Sequence, residues 1–453
     1  MEQNKKTITR RKAIKYLGFG VLAAAGAYGL SKSSLFGDKI KEEAENGTLK
    51  MVTRKDNATG KEVSLLGYGC MRFPTYETGE KDKRGRAIRA IDMEESQALI
   101  DYAYANGVNY YDTAYNYHNG KSAEAIGQFL SKYPRESYFL SNKMPTWLID
   151  SPDKPKQLFE EQLQKCGVEY FDYYLLHALS SQAAYDKAYE ENKGYEYLLK
   201  EKEAGRIKRL GFSFHGDEKF FDYLLDKHPW DFVLLQINYI DWKEQNAEYF
   251  YNQLEKRGIQ CMIMEPLKGG ALANLTPDAN EILKNVNPDD SVASWAFRYA
   301  GSLPSVLTVL SGMTKMEHLK DNLKTFKNFK PLTDKEREAL AAAIEEFNRF
   351  KQIGCTDCKY CMPCRFGVDI PAVFAAYNKC VKESNIPDLS APRDNKFNKK
   401  KKAFLATYKN MVPEGSRADK CINCGRCKPM CPQKLDIPKL IMDMKDLVKE
   451  LEG

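Results

Sequence analysis

Short apolar runs alternate with amphipathic or charged stretches from about residue 60 to residue 325. The apolar runs predict eight strands, at residues 63–67, 109–113, 138–143, 173–177, 210–214, 232–237, 260–265 and 307–312. The segments between them predict helices at residues 93–106, 121–132, 153–166, 186–204, 217–227, 244–257 and 315–324. Most of the strand runs are continuously apolar, as expected where helices cover both faces of a parallel sheet. Eight strand–helix units predict an α/β fold of the (β/α)8 TIM-barrel type.

Polar side chains stand where the predicted strands end, which is the edge where TIM barrels carry their active sites. Asp112, Lys143 and His177 end the second, third and fourth strands. A single buried histidine is more often a packed core residue, and a single lysine is more often on the surface. Three titratable groups at one mouth are hard to explain by packing, so this edge is the candidate active site. No Gly-x-Gly-x-x-Gly turn follows the first strand, which argues against a Rossmann domain.

Several of these segments together resemble the aldo-keto reductase family. The matching segments are residues 110–117 with Ser122 and Glu124, Asn142-Lys143, residues 174–177, residues 211–213 and residues 265–267. The resemblance spans roughly residues 60–325, and it is nearest to the subgroup that carries C-terminal ferredoxin-type cysteines. It implies an oxidoreductase that acts on a carbonyl or alcohol substrate with a nicotinamide cofactor.

The resemblance implies a catalytic tetrad of Asp112, Tyr117, Lys143 and His177. Hydride transfer to a carbonyl carbon leaves an oxyanion that needs a proton, and Tyr117 is the implied acid. A free phenol has a pKa of about 10, and a neighbouring ammonium such as Lys143 lowers the pKa of a phenol. Asp112 would hold Lys143 in place, and His177 would orient the carbonyl. Tyr115 is a rival for the acid role, and the motif spacing favours Tyr117.

The resemblance also implies a site for NADP(H) in an extended pose. The implied contacts are Ser213, Gln236, Glu265, Leu267, Ser311, Gly312, Met313, Lys315 and Asn322. A helix N-terminus after the last strand suits a phosphate group. Phe214 replaces an asparagine that grips the carboxamide in many members, and Met264 replaces a tyrosine that stacks on the nicotinamide. The prediction of NADP rather than NAD rests on Lys315 and on the usual cofactor of the family.

Twelve cysteines are present, and eight of them fall in two tight runs. The runs are Cys355, Cys358, Cys361 and Cys364, and then Cys421, Cys424, Cys427 and Cys431. The second run, with Pro432 after it, has the bacterial ferredoxin spacing, in which the fourth cysteine binds the other cluster of a pair. Each run is followed by Asp-Ile-Pro, at residues 369–371 and 436–438. This repeat predicts two 4Fe–4S clusters that exchange their fourth ligands, Cys364 and Cys431. A zinc site or a lost cluster at the first run is the alternative.

The domain prediction follows from these assignments. It comprises a linker at 31–55, the barrel at 56–330, a connecting helix at 331–352 and a small helical, ferredoxin-like iron–sulfur domain at 353–445. A lysine-rich stretch at about 381–419 is predicted to be a flexible surface loop.

The net charge of +7 is concentrated at the N-terminus. The later lysine run lacks the features of a nucleic-acid site, so no nucleic-acid partner is expected.

Residues 1–30 combine a basic segment containing Arg10 and Arg11 with a short apolar stretch that carries no charge. This pattern resembles a twin-arginine signal and is too short for a comfortable membrane span. It predicts export by the twin-arginine machinery to the periplasm or the outer face of the cytoplasmic membrane. An uncleaved N-terminal anchor stays open.

The functional hypothesis is a NAD(P)H-linked oxidoreductase that passes electrons through its C-terminal clusters. Its expected partners are a small carbonyl compound and a redox protein. The alternative is a non-catalytic electron-transfer or redox-sensing protein on an inactive barrel, and the complete tetrad argues against it.

Overall fold

The computed structural model describes residues 50–81, 87–355, 357, 359, 361–431 and 435–453. The predicted twin-arginine signal, the linker up to residue 49 and Cys358 lie outside these residues. Within the described part of the chain, no helix combines the length and the apolar character that a membrane crossing requires.

Eight parallel strands close into a barrel, and their order in space follows their order in the chain. The strands are β1 (Leu66–Gly69), β2 (Tyr110–Asp112), β3 (Phe139–Met144), β4 (Phe171–Leu179), β5 (Ile207–Phe214), β6 (Phe232–Gln236), β7 (Gln260–Met264) and β8 (Val306–Ser311). β8 pairs with β1 and closes the ring. The TIM-barrel prediction is confirmed.

The predicted first strand is divided between two elements. Glu62–Ser64 pairs with Thr53–Lys55 in an antiparallel hairpin, and β1 begins only at Leu66. The Ser64 hydroxyl donates to the Leu66 carbonyl at 2.7 Å, which stabilises the bend between them. A second hairpin, Thr75–Lys81 with Ala87–Ile91, follows β1 and was not predicted, because its polar sequence contains no long apolar run.

Nine helices follow these strands in the described part of the chain. They are α1 (Met93–Ala105), α2 (Ser122–Leu130), α3 (Lys154–Cys166), α4 (Gly194–Glu203), α5 (Glu218–Lys227), α6 (Ala247–Lys256), α7 (Pro277–Val286), α8 (Val292–Gly301) and α9 (Met316–Lys327), besides two four-residue helices, Gln182–Tyr185 and Asp241–Glu244. The predicted helix at 186–204 is divided, because a π-helical turn at Asp186–Glu191 precedes α4. Asp92 caps α1 by accepting a hydrogen bond from the Glu95 amide at 2.9 Å.

The chain divides into two compact units, each with its own hydrophobic core. The first contains the described residues up to Ile237, together with Asp241–Pro266 and Leu303–Lys330. Its barrel interior is filled by large apolar and aromatic side chains, which are Val63, Tyr110, Tyr173, Leu175, Phe232, Leu234, Met262, Leu307 and Leu310. The barrel is therefore a packed core, and only its rim has room for chemistry.

The second unit contains Asn238–Ile240, Leu267–Ser302 and Pro331–Gly453. It therefore includes α7 and α8, which the sequence did not predict, and the connecting helix α10 (Asp334–Arg349). Trp295 of α8 and Leu340 of α10 are buried in one core with Leu283 of α7. Thr333 and Glu336 form a capping box at the start of α10, as expected for a helix that begins abruptly.

The C-terminal part of the second unit is built from three helices, α11 (Ile370–Lys382), α12 (Asn395–Met411) and α13 (Ile437–Glu452). The Asp-Ile-Pro repeat marks the starts of α11 and α13. Asp369 accepts from the Ala372 amide and Asp436 from the Lys439 amide, while the proline occupies the first turn, where its missing N–H costs nothing.

The prediction of a flexible loop at about 381–419 is wrong for α12. Phe397, Phe404 and Tyr408 recur at helical spacing and are buried in the C-terminal core. Lysine is itself a good helix former, so the lysine run does not interrupt the helix. The polar majority of the segment concealed this narrow apolar face.

Candidate active site and iron–sulfur centre

The carboxyl ends of β2 and β3 bring a buried ion pair to the barrel mouth. The Lys143 ammonium lies 2.6 Å from Asp112 Oδ1, and both side chains are almost completely buried. The ammonium also donates to the Thr113 carbonyl at 2.8 Å, and Ser141 donates to Asp112 Oδ2 at 3.1 Å. Burial alone would lower the pKa of Lys143, but Asp112 and Tyr117 together raise it. The lysine therefore stays charged at neutral pH.

Tyr117 follows β2 and lies directly above this pair. The Lys143 nitrogen is 5.0 Å from the centroid of the Tyr117 ring. Burial raises the pKa of the Tyr117 phenol, and the Lys143 charge opposes part of that rise. The lysine thus acts in the expected direction, but burial outweighs it and the phenol remains protonated at neutral pH.

Tyr115 has a different environment, which bears on the choice between the two tyrosines. Its hydroxyl donates to Glu161 at 3.2 Å, and the Lys165 ammonium lies 5.3 Å from its ring centroid. Glu161 and Lys165 both belong to α3. The geometry therefore brings Tyr117, and not Tyr115, to Lys143.

His177 near the end of β4 completes the cluster. Its ring meets that of Tyr117 edge to face at 6.2 Å, and Trp147 lies 5.2 Å away on another side. Burial, and then the Lys143 charge, lower the pKa of His177 to about 3, so the imidazole is neutral at pH 7. Its Nδ1 is buried and has no hydrogen-bond partner in the described part of the chain. A buried polar atom of this kind is expected to find a partner in a bound molecule.

The backbone after His177 is locally strained. Ala178 has φ of 55°, a conformation that non-glycine residues rarely adopt, and its amide donates to Ser213 Oγ at 2.7 Å. Glu265, just after β7, has φ of 53°. Both outliers lie at carboxyl ends of barrel strands, the edge at which TIM barrels carry their active sites.

The residues predicted to hold the carboxamide have protein partners. Ser213 accepts from Ala178, and Gln236 donates to Asp241 at 2.7 Å. The ring of Phe214 packs at 4.8 Å from that of Phe221 in the helix layer. Met264 is partly buried against the barrel interior.

The predicted phosphate-binding residues surround the turn after β8. Ser311 accepts from Asn322 of α9 at 2.9 Å, and both side chains are buried. Met313 is fully buried, and its carbonyl accepts from Tyr68 at 2.7 Å. Lys315 is the residue before α9, and its side chain does not cap the helix. No side-chain cap therefore accepts hydrogen bonds from the first backbone amides of α9, and a phosphate-binding helix N-terminus needs such amides. Leu267 belongs to the second unit.

Arg72 is a candidate functional residue that the sequence did not reveal. Its guanidinium lies 3.9 Å from Glu265, and its side chain is 49% exposed. Its carbonyl accepts from Thr314 Oγ1 at 3.0 Å, and a Cβ at Gly312 would approach its stem to 3.1 Å. Gly312 is thus needed for this close approach. The pairing of β1 with β8 brings Arg72 next to Gly312, and no local sequence motif indicates this contact.

A cavity of about 240 Å³ in the C-terminal part brings cysteines of both runs together. Its cysteine lining is Cys361, Cys364, Cys421, Cys424 and Cys427. The last cysteine of the first run therefore shares a cavity with the first three of the second run, as the predicted ligand exchange requires. Burial raises the pKa of the Cys427 thiol to about 11, a cost that binding of a thiolate to iron would offset.

Cys355 lines a separate cavity of about 640 Å³, together with Asp357, Lys359 and Asp369. Cys431 is partly buried against the C-terminal core. The pairing of Cys431 with the first run stays a prediction. No three His, Cys, Asp or Glu side chains among the described residues are close enough to hold a single metal ion.

Comparison with known proteins identifies both parts of the chain. The aldo/keto reductase family matches residues 65–345, and a 4Fe-4S dicluster domain matches residues 354–435. The chain therefore belongs to the aldo/keto reductase family and is an aldo-keto reductase-like oxidoreductase with a C-terminal iron–sulfur domain.

The matched relatives cover the barrel. An uncharacterized oxidoreductase of Bacillus subtilis is 25% identical over 65% of this chain and 97% of its own length. The NADH-specific methylglyoxal reductase of Escherichia coli is 24% identical over 51% of this chain and 83% of its own. The holo aldo-keto reductase structure from Bacillus halodurans is 21% identical, covers 65% of this chain and 96% of that one, and has a TM-score of 0.53. This last similarity shows the fold.

Proposed function

We propose that the barrel reduces the carbonyl group of a small molecule with NADPH, and that the C-terminal domain holds two 4Fe–4S clusters that exchange single electrons with a redox partner protein. The observation that supports the catalytic part most strongly is the buried Lys143–Asp112 pair below the ring of Tyr117. A buried ion pair is a poor device for stability alone. Its cost is better explained by the need for a fixed positive charge beside a proton donor.

A bound nicotinamide supplies the hydride that reaches the carbonyl carbon. The Tyr117 hydroxyl donates a proton to the carbonyl oxygen, and the raised pKa of this phenol ensures that the proton is present at neutral pH. Lys143 stabilises the phenolate that remains, and Asp112 holds the ammonium at 2.6 Å. His177 is neutral and can donate a hydrogen bond to the same oxygen without competing for the proton.

The turn after β8 fits a dinucleotide phosphate. Gly312 keeps the backbone open beside Arg72, and the first turn of α9 lacks a side-chain cap. Arg72 and Lys315 supply positive charge, and arginine suits phosphate because its planar donors can bind two oxygens at once. This charge supports NADPH, although the name of the E. coli relative specifies NADH. We propose Ser213, Gln236 and Asn322 as further contacts.

The two-cluster assignment is supported by the shared cavity of Cys364 with Cys421, Cys424 and Cys427. Clusters pass one electron at a time, whereas hydride chemistry moves two. Anaerobic iron and sulfide counting with EPR tests the assignment directly. We expect about eight irons per chain, and about four would contradict a cluster at the first run.

The catalytic proposal is tested by following NADPH and NADH oxidation anaerobically with a panel of aldehydes and ketones. Quenching of nicotinamide fluorescence measures cofactor binding in the same samples. We expect NADPH to bind more tightly and to be oxidised with at least one carbonyl. A protein that neither binds nor oxidises either cofactor would contradict the proposal.

We also propose that the chain is exported through the twin-arginine route, because residues 9–15 and the apolar stretch after them have the pattern of its signals. Fractionation of cells that produce wild type and the Arg10→Lys, Arg11→Lys variant tests this. Wild type is expected outside the cytoplasm and the variant inside it. Equal distribution would contradict the proposal.

A further inference from the structure

The helix α12 carries an unusual charge. Its 17 residues include six lysines, Lys396, Lys399, Lys400, Lys401, Lys402 and Lys409, and no aspartate or glutamate. It lies in the segment between the two halves of the ferredoxin-type repeat. The cysteine runs and the Asp-Ile-Pro caps are formed by other residues, so the positive charge of α12 requires a separate explanation.

The inner face of α12 is fixed in the C-terminal core and is linked to the second cysteine run. Phe404 is fully buried, and Tyr408 is nearly so. The Tyr408 hydroxyl accepts a hydrogen bond from the Ala418 amide at 2.9 Å, three residues before Cys421. A molecule that binds the outer face of α12 would therefore lie on the same helix that supports the cluster-binding segment.

Some of the lysines have carboxylate partners, but the outer face keeps two unpaired charges. Lys396 and Lys400 pair with Asp278, and Lys409 pairs with Glu452 at 2.9 Å. Lys399 and Lys402 are one helical turn apart and exposed, and the described residues provide neither of them with a carboxylate within ion-pair distance. Their positive field is thus available to a partner.

We propose that the outer face of α12, centred on Lys399 and Lys402, docks an acidic one-electron carrier protein. This inference rests on the proposed function, in which the clusters exchange electrons. Complementary charge steers such encounters and raises their rate of association. The described aromatic residues of α12 are all buried, so the face offers no aromatic anchor for bilayer insertion and no platform for base stacking.

The test measures the affinity of the cluster-loaded chain for a strongly acidic plant-type ferredoxin as the probe. Lys399→Glu with Lys402→Glu reverses two charges on α12. Lys156→Glu with Lys219→Glu makes the same change in net charge at exposed positions on α3 and α5 of the barrel. We expect the α12 variant to bind about tenfold more weakly at low salt and the control less than twofold, with the difference vanishing at high salt. Iron content confirms that both variants keep their clusters.

The neutral variant Lys399→Gln with Lys402→Gln should give an intermediate affinity, and it guards against misfolding of the charge-reversed helix. Equal binding by the α12 and barrel variants would overturn the proposal, as would failure of wild type to bind the ferredoxin. Selective loss of binding to anionic lipid vesicles, with ferredoxin binding unchanged, would overturn it in favour of a membrane surface. NADPH-dependent carbonyl turnover is assayed separately, so failure of the proposed function is distinguishable from failure of this docking surface.

Discussion

Replacement of Asp112 by asparagine removes the counter-ion of Lys143 and nearly preserves its shape. The Lys143 side chain is 1% exposed, so the ammonium left behind is a buried charge without a counter-ion, held only by neutral hydrogen-bond acceptors such as the Thr113 carbonyl. Loss of one partner of a buried pair costs about 3 kcal/mol or more. For a unit of this size the cost corresponds to a fall in Tm of roughly 6–12 °C.

The pH dependence gives this prediction its sharpest form. In wild type the pKa of Lys143 is raised, so its contribution to stability is present below the ordinary lysine pKa of about 10.4 and is lost as the pH rises through the folded value. In Asp112→Asn we expect burial to lower that pKa. Stability should then increase with pH between the lowered value and about 10.4, a range in which the Lys143 contribution to wild-type stability stays constant.

Thermal unfolding followed by tryptophan fluorescence between pH 7 and pH 10 measures both effects. Three of the four tryptophans, Trp147, Trp230 and Trp242, lie in the barrel unit. Asp172→Asn is the matched control, because Asp172 pairs with Arg135 at 2.7 Å and arginine stays charged throughout this range. The control should lose stability without recovering it at high pH. An Asp112→Asn variant with the Tm and pH slope of wild type would refute the assignment of a buried ammonium.

Three further predictions test other parts of the account. Arg72→Ala should weaken NADPH binding, measured by fluorescence quenching, about tenfold or more through loss of charged hydrogen bonds, and unchanged affinity would exclude Arg72 from the phosphate site. Cys364→Ser should lose one cluster's iron, about four atoms per chain, while Cys380→Ser, outside both runs, should lose none. Phe404→Ala should destabilise the C-terminal domain by about 3–5 kcal/mol in urea unfolding, because the ring is fully buried, whereas a flexible loop at this position would make the change neutral.

The barrel was predictable from the sequence because parallel strands covered on both faces produce unmistakable apolar runs. The strand ends then followed from topology, which is how Asp112, Lys143 and His177 could be grouped. Residues whose role depends on distant neighbours were not predictable in the same way. Arg72 meets Gly312 and Glu265 only because β1 pairs with β8 across the closure of the barrel.

The helices were harder to predict than the strands where apolar positions are few. The helix α12 was missed because a run of four lysines at 399–402 separates the buried Phe397 from the buried Phe404 and Tyr408. Helices α7 and α8 were missed because they follow a turn-rich stretch and pack with α10, which a search for repeated strand–helix units does not anticipate. The pKa of Tyr117 also required the structure, because burial and the Lys143 charge act in opposite directions.

The most direct test of the catalytic account compares Tyr117→Phe with Tyr115→Phe in NADPH-dependent reduction of a carbonyl substrate. Tyr117 lies over Lys143, whereas Tyr115 is hydrogen-bonded to Glu161. We predict that Tyr117→Phe loses about 10²- to 10⁴-fold in kcat while NADPH binding is retained, and that Tyr115→Phe keeps most of its activity. Wild-type turnover by Tyr117→Phe, or an equal loss in both variants, would contradict the role of Tyr117 as the proton donor.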